Sequence, residues 1–306
     1  MMVDAPAPGS ADPDSAEAIG AVLRHPRFPD AMRHIGSRFI TLHSDYFANQ
    51  QVADEGRYLV CQFAMVLHAE YRPDDPESGL TLARLVRRCM AARVMPLSRV
   101  EAMIAVLRRS RRLLDAPAGA DRRVRRLEPG PLLIAESRQR LRFHFEALEM
   151  VVPGRDWLRR LEEDPAFFWA IERERGIYFG DRSGLLGRLP ALNALSAIEA
   201  GYLALVALID AIDGPPQAPC VVAFPHAAMA DRLKLPRAQL LRALEGLEAA
   251  GLIEVMAQAG RAIRILPIAV QTIATWHAIR LLRFDRCAAR AAASRDGTPP
   301  DQRHAA

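Results

Sequence analysis

Between residues 98 and 110 the apolar side chains Val100, Met103, Ile104 and Leu107 fall at i, i+3, i+4 and i+7. That spacing lays them along one side of a helix and predicts a single buried stripe. Ser98 and Glu101 have the spacing of a capping box, which would start the helix at that serine. The stripe recurs over 237–250 as Leu240, Leu241, Leu244 and Leu247, and Gly251 follows where a helix ends in a left-handed turn. Each striped helix has the same neighbours. A long apolar helix is predicted at 57–71 and again at 197–212, then a loop with proline and a short helix (81–92; 225–233). After the stripe come a two-stranded hairpin (112–127; 252–266) and a closing helix (131–149; 268–289).

This order repeats with a period near 140 residues. Tyr58-Leu59 falls on Tyr202-Leu203, Leu85 on Met229 and Cys89 on Leu233 at an offset of 144. Pro96 then falls on Pro236, Val100 on Leu240, Ile104 on Leu244 and Leu107 on Leu247 at an offset of 140. The four-residue difference is about one helical turn. Further on, Arg123-Val124-Arg125 aligns with Arg261-Ala262-Ile263 and Pro129 with Pro267 at an offset of 138. The matches divide the chain into halves at 21–150 and 151–290. A leader (1–20) rich in Pro, Ala and acids and a tail (291–306) are expected to be disordered.

Composition changes little in this picture. Half the residues are hydrophobic but only 6% are aromatic, and the Ala, Leu, Ile and Val that dominate favour helix. The leader has neither the basic start nor the apolar run of a signal peptide, and no stretch of 18 apolar residues occurs. A cytoplasmic protein is expected.

Charge changes more. The net charge is +5, and Lys234 is the sole lysine. Residues 80–127 carry thirteen arginines against Glu101, Asp115 and Asp121, a net of +10, so the rest of the chain sums to −5. The matching stretch 224–267 has a net of +2. Within the basic stretch Arg108, Arg109, Arg111 and Arg112 precede a turn of Asp, Pro, Ala and Gly, and Arg122, Arg123, Arg125 and Arg126 follow it. A solvated surface is the plainer explanation, but charged surfaces usually mix signs, and here acids are scarce.

Helix, turn, striped helix and hairpin make up a winged helix-turn-helix. The stretch MADRLKLPRAQLLRALEGLEAAGLIEVMAQAGRAIRILP (229–267) resembles the core of MarR-type bacterial regulators in its leucine spacing, its LEAAGLI and the Gly-Arg before the second wing strand. The first half is similar through LARLVRRCMAARVMPLSRVEAMIAVLRRSRRLL and DRRVRRLEP, departing at Arg111, where the second half has Gly251. The resemblance covers about 45 residues of each half. It implies a mainly α fold with short β-hairpin wings, two tandem winged helix-turn-helix domains forming an internal duplication, and double-stranded DNA as partner. It implies no catalysis and no cofactor.

In such proteins the striped helix enters the major groove and the wing meets the backbone. Carried onto this chain, Ser98, Arg99, Arg108 and Arg109 lie on or beside the recognition helix. Arg122, Arg123, Arg125 and Arg126 lie on the wing, those nearest the tip (Arg122 and Arg123) being favoured. Strand alternation puts Arg123 and Arg125 on one face and Arg122 and Arg126 on the other. In the second half Arg237, Gln239 and Arg242 would read bases, since Arg prefers guanine and Gln adenine, with Arg261 on the wing. Two assemblies follow from the resemblance: an intrachain pseudo-dimer, or a homodimer with four winged helices.

Other chemistry has little behind it. Cys61, Cys89, Cys220 and Cys287 are widely spaced and read as small core residues, and the eight histidines are scattered with no metal-ligand spacing. GDRSG (180–184) has its serine one place too late for a nucleophile elbow. The aromatic run Phe167, Phe168, Trp169 with Tyr178 suggests an interface between halves or protomers, or, less simply, a pocket for a small-molecule effector. Two alternatives to a regulator remain: a winged-helix module that binds an acidic protein, and a plasmid-type replication initiator.

Overall fold

The structure, a computed structural model, describes residues 12–43, 55–75, 78–93, 95–116, 125–180, 189–212, 219–256 and 262–294. The chain is mainly helical with small antiparallel sheets. In chain order the elements are α1 (Ala16–Arg24), α2 (Phe28–Leu42), α3 (Glu55–Ala69), α4 (Leu82–Ala91), α5 (Leu97–Arg109), β1 (Leu113–Asp115), β2 (Leu127–Pro129) and α6 (Pro131–Val151). They continue with α7 (Trp157–Glu163), α8 (Pro165–Gly180), α9 (Pro190–Ala197), α10 (Gly201–Asp210), β3 (Cys220–Ala223), α11 (His226–Arg232), α12 (Arg237–Ala249), β4 (Ile253–Val255), β5 (Ala262–Ile265) and α13 (Pro267–Ala293).

Two compact units form, and neither is one of the contiguous halves. The basic unit draws on 56–142, 156–182 and the chain from 284 onward; its companion draws on the chain up to 55, on 143–155 and on 183–283. Helices α6 and α13 contribute residues to both.

In the basic unit α3 is buried at every position from Leu59 to Leu67, so it has no polar face. The polar groups buried around it pair with one another. Glu172 on α8 accepts from Arg175 Nη1 at 2.7 and 2.8 Å and from Ser137 Oγ at 2.7 Å, while Arg175 also donates to Gln62 Oε1. Burying these groups unpaired would cost several kcal/mol. Phe167, Phe168 and Trp169 are buried inside this same unit, and Arg138 lies 4.6 Å from the Phe168 ring centroid. They are core residues, and with Arg138 beside Phe168 and His68 4.8 Å from Trp169 they pack between the two sequence halves, as an interface between halves would.

The companion unit has its own core. Its α2 packs on α10, where a Cβ at Gly36 would stand 3.3 Å from Val206, and Phe39 meets Tyr202 edge to face at 5.1 Å. The apolar stretch expected as one helix over 197–212 is broken, because Ala200 takes φ +60° between α9 and α10. At the chain's start, Ser15 caps α1 and Asp14 pairs with Arg283 at 2.8 Å, so helix begins inside the stretch expected to be a disordered leader. Helix α13 runs past 291 in the same way. Among the described residues no single helix is long and apolar enough to cross a membrane.

Both units contain the expected order of short helix, turn, striped helix and hairpin, and matched residues hold the turns. After α4 and α11 the chain turns through Arg93 (φ +49°) and Lys234 (φ +51°); after α5 and α12 it turns through Arg111 (φ +56°) and Gly251 (φ +68°). The last pair closes alike, with Arg112 N donating to Leu107 O at 2.8 Å and Leu252 N to Leu247 O at 3.0 Å. Val100, Met103, Ile104 and Leu107 are buried as the stripe predicts; of the second stripe Leu240, Leu244 and Leu247 are buried and Leu241 is half-buried.

Three local expectations are corrected. No capping box forms at Ser98, because Pro96 is the N-cap and its carbonyl accepts from Arg99 N and Val100 N at 3.0 and 3.1 Å. Ser98 is therefore the second helical residue. The hairpin registers Leu113↔Pro129 and Ile253↔Ile265 match Pro129 to Ile265, so Pro131, not Pro129, corresponds to Pro267 as the first residue of the closing helix. The sheets also differ in size. The companion unit has three strands in the order β3-β5-β4, whereas in the basic unit the third strand shrinks to a bridge between Thr81 and Arg126.

Candidate nucleic-acid interface

The arginines of the basic unit have separate fates, decided by where the backbone turns. Arg112 follows the left-handed Arg111 and is turned inward. It is 4% exposed, and its Nε donates to the half-buried Glu136 at 3.1 and 3.2 Å, a pair that joins the hairpin to α6. Arg108 reaches across to Asp115 on β1, at 2.6 Å from Oδ1. Its charge is largely met within the fold. Arg109 and Arg111 are exposed and make no ion pair among the described residues. Ser98 and Arg99 are exposed near the start of α5.

The two described arginines just before β2 differ in exposure. Arg125 is exposed, and its carbonyl accepts from Leu82 N at 3.1 Å. Arg126 is half-buried, with its guanidinium 5.5 Å from the Tyr71 ring centroid. That contact braces the fold. Arg122 and Arg123, with the wing tip, and Arg261 lie outside the described residues.

In the companion unit Arg237 and Arg242 are exposed on α12. Gln239 is 7% exposed, one turn before the fully buried Ala243 and beside Leu240. Its side chain belongs to the buried side of the helix, and base reading by this residue is corrected on that ground. Neighbouring cations are partly neutralised: Arg232 pairs with Asp210 at 2.6 Å and Arg264 with Glu254 at 2.6 Å.

Tertiary structure also gathers residues that the sequence scatters. A groove of about 1360 Å³ in the basic unit runs from the loop after α3 past the first two turns of α4 to Arg125 and to Arg173 on α8. Its wall holds Arg72, Arg84, Arg87, Arg125 and Arg173 against Glu70, Asp75 and Glu101. Arg72 and Arg173 had no signal in the sequence, since each lies outside the basic stretch and reaches the groove only by folding. The loop that forms one wall is pinned by Ser78 Oγ, which accepts from Arg72 N at 2.7 Å and lies 2.6 Å from the Asp75 carbonyl oxygen.

The thiols are poor nucleophiles. Burial pushes Cys61, Cys89 and Cys287 up to about 12, so they stay protonated at neutral pH. Among the described residues no three His, Cys, Asp or Glu side chains converge as a metal site would require.

No family model matches this chain, and no curated protein or solved structure is significantly similar to it.

Proposed function

We propose that this protein is a sequence-specific regulator of transcription that binds double-stranded DNA through two tandem winged helix-turn-helix units, the products of a duplication. Two features support it. The order of short helix, turn, striped helix and hairpin occurs twice, with left-handed residues at matching places. The observation that carries the reading is that Arg109, Arg111 and Arg125 are exposed and make no ion pair among the described residues, the first two at the C-terminal end of α5 and the third just before β2.

Guanidiniums held this way release counterions when they meet phosphates, which supplies the sequence-independent part of affinity. The exposed side of α5, with Ser98 and Arg99, would then select bases from the major groove. In the companion unit Arg237 and Arg242 carry that role with less charge beside them. The difference assigns grip to the basic unit and shares reading between the two.

The first experiment is selection of sheared genomic DNA by the purified protein near physiological salt, with sequencing of what is retained. A few sharply enriched sites are expected. Engagement of about six to eight phosphates predicts a log–log salt slope of roughly −5 to −7 on such a site. A slope near zero would exclude a phosphate grip by these arginines. A second reading, a module that docks a protein partner, is favoured by the exposed apolar residues Met90 and Leu97 beside the turn between α4 and α5. It predicts a flat DNA selection and loss of a captured acidic partner on Met90→Glu or Leu97→Glu substitution.

A further inference from the structure

Among the described residues, three guanidiniums in the groove of the basic unit make no ion pair, and the one carboxylate of its lining left outside an ion pair is Glu101. Arg72 is held by Asp75 at 2.8 Å and Arg84 by Glu70 at 3.6 Å. Arg87 on α4 and Arg125 before β2 make no ion pair among the described residues. Arg173 on α8 donates to the neutral Ser294 Oγ at 3.2 Å, so its charge is also uncompensated there. These three cations come from α4, from α8 and from the chain before β2, and they line one groove. With Glu101 counted, five arginines against three carboxylates leave the lining an excess of two positive charges, which favours an anion there.

We propose that this groove is a track for the phosphate backbone of nucleic acid, extending the DNA contact past the helix-turn-helix to Arg87 and Arg173. The inference rests on the DNA-binding reading above and adds residues to it. Size favours a polymer over a metabolite. At about 1360 Å³ and open to solvent, the groove exceeds the several hundred Å³ of ordinary small-molecule pockets. Position favours the same occupant, because Glu101 of α5 and Arg125 also line the groove, which makes it continuous with the elements proposed to hold the duplex. Chemistry agrees. A guanidinium presents a planar fork of donors that matches phosphate oxygens.

Arg173 belongs to α8 and not to the helix-turn-helix, so on this reading the phosphates it holds flank the bases that α5 would read. Arg173 should therefore matter only when DNA extends far enough to reach it. Arg87, nearer to α5 along the chain, should matter for shorter DNA too.

The test measures affinity against salt for the full chain on two duplexes that carry one enriched site, a short one and one extended on both sides. Arg87→Gln and Arg173→Gln are compared with wild type and with Arg109→Gln, which lies outside the groove. Each groove variant should make the log–log slope shallower by about 1 on the long duplex, with Arg173→Gln silent on the short one. Between 50 and 200 mM salt the variants would then lose about three- to fourfold less affinity than wild type. Thermal melting should be unchanged, and if Arg173→Gln unfolds, Arg87→Gln alone decides. Wild-type slopes in both groove variants, with a shallower slope in Arg109→Gln, would overturn the track and leave the DNA reading standing. No duplex binding by wild type even at low salt would overturn both.

Discussion

His277 is 1% exposed, and neither of its ring nitrogens has a hydrogen-bond partner among the described residues. Burial, with help from the charge of Arg280, pulls its pKa from 6.5 to about 3. In the unfolded chain the same imidazole takes up a proton near pH 6.5, so on acidification the unfolded state binds the extra proton first. The folded state therefore loses stability as pH falls through about 6.5, and the loss continues until about 3. Between pH 7 and 5 this one group should account for about 2 kcal/mol. Urea unfolding of wild type and His277→Phe at the two pH values checks it; equal losses would show that His277 is not the titrating group. The arginines show the same dependence on setting. Arg112 and Arg109 belong to one cluster in the sequence, yet one is buried and pairs with Glu136 and the other is exposed. Three residues along a turning chain separate a core charge from a surface one.

At the scale of elements, the ends of the two striped helices make a matched experiment. Both terminate through a left-handed residue, Arg111 in one and Gly251 in the other. A Cβ at Gly251 would meet nothing within 4 Å, so Gly251→Ala tests backbone conformation without a clash. It should destabilise the protein by about 1 kcal/mol, and Arg111→Gly should stabilise it by a similar amount. Denaturant midpoints that do not move in opposite directions would refute this account of the two turns. The stripes themselves were legible because burial on one side of a helix imposes a period on the sequence. The capping box at Ser98 misled because a local spacing signal competes with proline: Pro96 has the fixed φ and free carbonyl that begin the helix two residues earlier. Gln239 misled for a related reason. Its amide suits base reading, but its place on the helix turns it toward Leu240 and Ala243.

At the scale of the molecule, the compact units are assembled from interleaved stretches of chain. Glu172 and Arg175 complete a buried network with Ser137 and Gln62, and His34 pairs with Glu146 at 2.8 Å. A cut between residues 150 and 151 leaves His34 with Glu146 but parts Glu172 from Ser137, and it parts α2 from α10. The separate halves 21–150 and 151–290 should each fail to fold alone, and co-expression should restore a complex with the helicity of the intact chain. Circular dichroism and size-exclusion chromatography of the three preparations check this. A cooperatively folded isolated half would contradict the interleaving.

The sequence by itself determined the class of the elements, the two stripes and the placement of excess positive charge, because each is written in local periodicity or composition. Hairpin order and the left-handed turn at Gly251 were legible for the same reason. The repeat also located the corresponding elements, though its last offset slipped by two residues where the hairpins differ in length. Only tertiary structure decided which arginines stay free, since an ion pair such as Arg112 with Glu136 or Arg108 with Asp115 depends on a partner brought close by folding. It also decided that the aromatic run of α8 is core and that Arg87, Arg125 and Arg173 share one groove. Contacts between residues far apart in the chain leave no period in the sequence, and so the grouping of charge into a surface had to come from the fold.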